Sequence, residues 1–407
     1  MKGKGRILIL IIALVWIIAL GAWGSAVSET SKAPVYWAVV DDLSGPYSAD
    51  GTDGVRGVTL ALEDHGMTIL GHPIKLVTRD TELRPAVGVR RMREVINKYH
   101  PICLHSGASS AVQLAMTEVA KDQKTLFWTG GWDSRLTGEA GHRYVFRWNS
   151  SNFAIASSSV AGFLKLFPDV KTAYHITADY AWGYDMEEKD NMIFKKRGVK
   201  VLGHTLTPLG GTDYSAHITK ALAAKPDVIV LNVYGNDLMN CAKQAAEFGA
   251  KEKCKILIPG DGLTMLRGIG AKALEGMYAG THWWWKNPND WSKNFTAKWL
   301  DKYGMTPSYY CPCQYTVTSV TLNAMEKAGS TDPKDVIPIL EGMTYDGPSG
   351  KETIRAWDHQ VTHPFLLGVG KKPEDMTHPD DFLEIVSSAA VYRSHEENPV
   401  NFNKEPL

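Results

Sequence analysis

The sequence is poor in cysteine and carries no excess of either charge. Its 407 residues include five cysteines, Cys103, Cys241, Cys254, Cys311 and Cys313. An odd number with no C-x-x-C spacing argues against a zinc ribbon or a thioredoxin-like centre. Cys241 and Cys254 flank one helix-to-strand connection and are the pair expected to bridge, if any does, in an oxidising compartment. Cys311-Pro312-Cys313, read as extended chain, is too short for an easy local bridge. The 44 basic residues balance 44 acidic ones, so no global field favours nucleic acid or an anionic membrane. The basic clusters Arg90–Arg93 and Lys195–Arg197 are short, have acidic neighbours and read as solvated helix faces. Low-complexity tracts and short-period repeats are missing, which excludes a solenoid. A G-x-G-x-x-G after the first strand is missing too, which argues against a dinucleotide site.

Long apolar runs are also scarce, with one exception. Lys2, Lys4 and Arg6 precede the uncharged run Ile7–Gly24, followed by small residues around Ser25 and Ser28. A basic start, an apolar stretch and small residues describe an export signal over residues 1–28. The run is just long enough to span a bilayer, so an uncleaved anchor is the alternative. Either reading places the remainder outside the cytoplasm.

What the chain has in abundance is alternation. Short apolar runs such as "VYWAVVDDL", "ICLHSG", "TLFWTG", "DVIVLNVY" and "KILIPGDG" are separated by amphipathic stretches of helical length. In "PAVGVRRMREVINKY", Ala86, Val89, Met92, Val95 and Ile96 fall on one helical face. This pitch predicts an α/β architecture with parallel sheets. Ligands of such sheets bind at the carboxyl ends of the strands. The loops there, among them "DDLSGPYSADG", "HSGASS", "WTGGWDS", "TADYAWGYD" and "PGDG", are rich in glycine, serine, aspartate and aromatics.

Ser109 and Ser110 sit at one such strand end, and three readings are open. Gly107-Ala108-Ser109-Ser110-Ala111 approximates a hydrolase nucleophile elbow, but Ala111 replaces its second glycine and no histidine occupies a recognisable motif. Ser109 could instead cap a helix, or join a cradle of donors that grips an anionic ligand. His359 and His363 have helical ligand spacing in a stretch that reads as strand and turn, so no metal is predicted. No cofactor is implied.

The order of motifs resembles the periplasmic solute-binding proteins of the leucine/isoleucine/valine-binding type. The landmarks run from Leu43-Ser44-Gly45-Pro46 and Ser106–Ser110 through Tyr144–Arg147, Asp179–Gly183 and Gly211–Ser215. Gly260-Asp261-Gly262, Lys327–Thr331 and Tyr345–Pro348 complete the series. The resemblance implies two doubly wound parallel-sheet lobes joined by three hinge crossovers. It assigns 35–151 plus 282–343 to one lobe, 152–281 plus 344–393 to the other, and leaves 394–407 as a polar tail. The hinges are expected near Trp148-Asn149, Gly280-Thr281 and Tyr345–Gly347. The implied function is capture of a small amino-acid-like, amide or carboxylate solute by a monomer that delivers it to the membrane permease of an ATP-driven transporter. A ligand-sensing receptor component of the same fold is the alternative.

Carried over residue by residue, the resemblance puts a ligand carboxylate on Ser109 and the Gly130 backbone, with Ser110 helping the turn. It puts a ligand ammonium on Tyr234 and Asp261. Tyr180 and Trp182 would wall the cleft. Two positions depart from the family pattern: Trp132 stands where a threonine usually completes the carboxylate grip. Asp50 stands where an aromatic often covers the ligand, with Tyr47 three residues away. Trp283, Trp284 and Trp285 could serve the cleft or only pack the core. These departures put an ordinary branched-chain amino acid in doubt and suit a planar ligand, or a cation against a ring face.

Overall fold

The computed structural model describes residues 32–407. The export signal or anchor read at Ile7–Gly24 lies outside the described residues. In the strand Val35–Asp41, residues Trp37 to Val40 are all within about one per cent of full burial. A strand buried on both faces belongs inside a covered parallel sheet. Trp37 and Val39 face one core, Ala38 and Val40 the other.

This strand lies within a six-stranded sheet of spatial order Thr68–Ile69, His72–Asp80, Val35–Asp41, Cys103–Ser106, Phe127–Thr129 and Val145–Arg147. The pairings are parallel except for the edge hairpin of Thr68–Ile69 with His72–Asp80. Helices Pro85–Tyr99 and Ser110–Asp122 cover one face through Met92, Val95, Val112 and Met116. Helices Ser48–Asp64 and Tyr310–Ala328 cover the other. The second of these is anchored under the sheet by hydrogen bonds of Gln314 with His105 and of Thr321 with Trp128.

A second, seven-stranded sheet builds the other lobe in the order Leu383–Ala389, Phe365–Gly370, Tyr278–Thr281, Lys255–Asp261, Val228–Asn232, Thr172–Ala178 and Lys200–Thr207. Its central pairings are parallel, and the last two strands in sequence add antiparallel to one edge. The two α/β lobes follow from the strand–helix alternation.

Four details differ from the sequence reading. Residues Thr344–Gly347 do not enter the second lobe's sheet. They form a separate three-stranded sheet with Gly350–Ile354 and Val361–Thr362, and the chain joins the large sheet only at Phe365. All five cysteines are free, so Cys241 and Cys254 do not bridge. Cys241 is buried on the inward face of helix Asn236–Glu247, committed to packing. Cys311-Pro312-Cys313 lies in the first turn of a helix, where proline needs no backbone donor, and not in extended chain. The 394–407 tail is no free polar tail. Its Phe402 is buried against His359, and Arg143 binds the Glu405 backbone.

The three tryptophans settle into structural roles. Trp283 donates to Ser292, Trp285 donates to the Asp380 carbonyl, and Trp284 is buried beside Trp285. His359 and His363 are buried and stack on Phe146 and Trp148 respectively.

Candidate functional site

The carboxyl ends of both sheets face each other across a closed cleft. Its floor in the first lobe is the loop Gly130–Asp133, and nearly every polar backbone group of that loop is held. The Gln113 side-chain oxygen accepts from the N–H groups of Gly130 and Gly131 at 2.9 and 3.0 Å. The Ser110 hydroxyl accepts from those of Trp132 and Asp133 at 3.1 and 3.2 Å. From below, Asn149 donates to the Gly130 carbonyl at 2.6 Å and the buried Arg147 guanidinium to the Asp133 carbonyl at 2.6 Å. A loop so tied presents the Trp132 ring in one orientation.

Aromatic rings from both lobes converge on Trp132. Its ring lies 4.9 Å from Tyr234 at 81°, 5.9 Å from Trp182 at 68° and 4.8 Å from His282. Trp182 and Tyr234 meet at 5.9 Å and 62°. Trp132 also rests on the second lobe's backbone at Gly260, where a Cβ would stand 2.8 Å from the ring. Burial drives the His282 pKa well below its ordinary value, so this ring is neutral.

Hydroxyls close the cleft directly. The Tyr234 hydroxyl, from the second lobe, donates to Asp50 at 2.8 Å and lies 2.8 Å from the hydroxyl of Tyr309. Tyr47 and Tyr180 share a hydrogen bond across the gap. Beside them Gly235 has φ of 63°, and a Cβ there would stand 2.7 Å from the Tyr47 ring and 2.8 Å from the Pro46 carbonyl. Glycine is needed there both for the left-handed backbone and for the contact.

Carboxylates complete the site. Asp261 is fully buried, and neither of its oxygens has a hydrogen-bond partner. Burial alone raises its pKa well above the ordinary range. Asp50 has one unpartnered oxygen, and burial lifts its carboxyl to about 7. Asp41 and Asp42 are raised by burial as well. Among the described residues no lysine or arginine lies within ion-pair distance of Asp41, Asp42, Asp50 or Asp261.

The ten residues singled out in the sequence all lie at these two facing strand ends. Eight belong to the network just described: Ser110, Gly130, Trp132, Tyr234, Tyr180, Trp182, Tyr47 and Asp50. Asp261 stands between Gly260 and Gly262, whose backbones touch Trp132 and Tyr309. Ser109 caps helix Ser110–Asp122, its hydroxyl accepting from the Val112 N–H at 3.4 Å and its own N–H donating to Asp42 at 2.9 Å. The Gly130 N–H is engaged by Gln113 and by the Ser106 carbonyl. Sequence reasoning missed Gln113, His282 and Tyr309, and named Asn149 only as a hinge position. A glutamine inside an amphipathic helix carries no motif, and the other two follow a strand or precede a helix without distinctive spacing.

Two α/β lobes closed on a buried cluster of rings and uncompensated acids define a bilobal solute-binding protein. A family model described as periplasmic binding protein matches residues 34–373, and the chain belongs to that family. Among curated relatives, the Leu/Ile/Val-binding protein homolog 4 of Brucella abortus (strain 2308) is 27% identical over 370 residues, covering 86% of each chain. Among solved structures, an amino acid ABC transporter substrate-binding protein from Pseudomonas fluorescens Pf-5 aligns with a TM-score of 0.85 at 29% identity, over 90% of this chain and 98% of that one. A periplasmic binding protein from Burkholderia mallei aligns with a TM-score of 0.85 at 27% identity, over 90% and 98% of the two chains.

Proposed function

We propose that the protein is the exported substrate-binding component of an ATP-driven uptake transporter. It captures a small amino-acid-like, amide or carboxylate solute between its lobes and presents the closed form to a membrane permease. The observation that carries this reading is Asp261, a fully buried carboxylate with no partner at the inter-lobe strand end. A buried ionisable group is costly unless something pairs with it, and a solute that enters with the closing lobes would supply the missing partner. The cross-cleft hydrogen bonds of Tyr234 with Asp50 and of Tyr47 with Tyr180 support closure as the working motion. A solute that touches both lobes favours the closed state by its differential affinity for it. The Ser109 hydroxyl accepts from a helix N–H and meets no histidine, which supports binding without hydrolysis.

The test is a thermal-shift screen of the full chain against amino acids, amides, amines and aromatic or aliphatic carboxylates, followed by titration calorimetry. A ligand specific for the folded form raises the melting temperature. The best hit is expected to bind one to one and to lose at least about tenfold in affinity in both Trp132→Ala and Asp261→Asn. Unchanged affinity in both variants would place the site elsewhere.

A further inference from the structure

Resting on the capture reading above, we infer that the solute is a small organic cation without a carboxylate, an ammonium head seated among aromatic faces with Asp50 and Asp261 as its counter-ions. The first argument is that the place for a ligand carboxylate is already taken by the chain itself. At the positive end of helix Ser110–Asp122, the Ser109 N–H is given to Asp42, and Asp41 is cradled by the N–H groups of Gly107 and Ala108. The Gly130 and Gly131 N–H groups are given to Gln113, and those of Trp132 and Asp133 to Ser110. An incoming carboxylate would find its donors occupied and two buried acids for neighbours. In a site of low dielectric that juxtaposition is strongly unfavourable.

The second argument comes from two acids that face the cleft, Asp50 from the first lobe and Asp261 from the second. Asp50 offers one free oxygen and Asp261 two, all buried, with no cation of the protein in reach. These are acceptors able to carry charge and waiting for donors; the unpartnered donors of the ring cluster, Trp182 Nε1 and the neutral His282 ring, carry no positive charge to offer an anion. The third is the arrangement of rings. Trp132, Trp182 and Tyr234 stand at 62° to 81° to one another, so their faces form a corner. Ring faces attract a cation, and most strongly when water is excluded. The rings touch, so a guest enters by parting them. A zwitterionic amino acid satisfies the acids but brings a carboxylate to the blocked end.

Titration calorimetry on the full chain tests this with two matched series. One is isoamylammonium, leucine and isocaproate; the other is phenethylammonium, phenylalanine and hydrocinnamate. The ammonium member is expected to bind tightest in at least one series, by about tenfold or more over the zwitterion, with the carboxylate weakest. Asp50→Asn and Asp261→Asn should each weaken the cation by at least about tenfold. Asp42→Asn should narrow the gap by strengthening the zwitterion. The wild-type ranking stands as a test even if a variant folds poorly. A zwitterion or carboxylate binding tightest overturns the inference, as does an absence of binding by both ammonium compounds at millimolar concentration. If that tightest zwitterion or carboxylate is still weakened by Asp261→Asn and Trp132→Ala, the capture site stands and only the cation falls. If neither variant weakens it, both readings fall.

Discussion

Replacing Asp50 by Asn isolates one buried charge whose energetic effect can be worked out. Burial lifts this carboxyl from 3.8 to about 7, against the pull of the Tyr234 hydroxyl and with help from Asp53, Asp41 and Asp42. Below pH ~3.8 the folded and unfolded chains both hold the proton, and ionisation takes nothing from stability. Between there and pH ~7 the unfolded chain releases its proton while the folded chain keeps it. Stability then falls by about 1.36 kcal/mol per pH unit. Above pH ~7 both states are ionised and the loss levels off at roughly 4 kcal/mol. Asparagine keeps an acceptor for Tyr234 and never ionises. Asp50→Asn is therefore expected to stabilise the protein, by about 1–2 kcal/mol at pH ~5 and by about 4 kcal/mol at pH ~7.5. Urea unfolding of both proteins at the two pH values measures this. The quantity to read is the change in the variant's advantage, about 2–3 kcal/mol, because titrations common to both proteins cancel. Residual coupling to Asp41 and Asp42 adds with the same sign. An advantage equal at both pH values, or a variant less stable at the higher one, would refute the reasoning.

Three further outcomes are expected. Gly235→Val should hold the lobes apart, since its side chain collides with Tyr47 and Pro46. Small-angle scattering should show a larger radius of gyration, and the best ligand should bind at least about tenfold more weakly. Dithiothreitol should leave the melting temperature within about 1 °C, because all five cysteines are free thiols. A bridge would reveal itself as a drop of several degrees. Phe402→Ala should cost about 3 kcal/mol in chemical denaturation, since it empties a ring-sized site beneath the docked tail.

The lobes were legible because a buried parallel strand and an amphipathic helix each write a strong local pattern, as in Val35–Asp41 and Pro85–Tyr99. The strand-end loops were legible for the same reason: where a strand stops, polar and small residues begin. What escaped were partners separated by long stretches of chain. Nothing local marks Gln113 as the acceptor for two glycine N–H groups, or Asp42 as the acceptor for Ser109. Cys311-Pro312-Cys313 read as extended chain, yet proline sits easily in the first turn of a helix. The triple tryptophan drew attention by its rarity, although packing alone accounts for its surroundings. The tail looked polar because its one decisive apolar residue, Phe402, stands among charged and amide side chains.

The interleaving of segments between the lobes has a bearing on when the protein can fold. The first sheet is complete in sequence at Arg147, yet the second of the two helices that cover its lower face begins at Tyr310. Phe402, which packs against His359, comes later still. During synthesis the early strands therefore have only helix Ser48–Asp64 to bury that face against until most of the chain has been made. Closing such long loops is slow as well as late. A chain arranged in this order completes its first lobe late in synthesis, and a chain not yet folded is one that can still be threaded through a narrow pore.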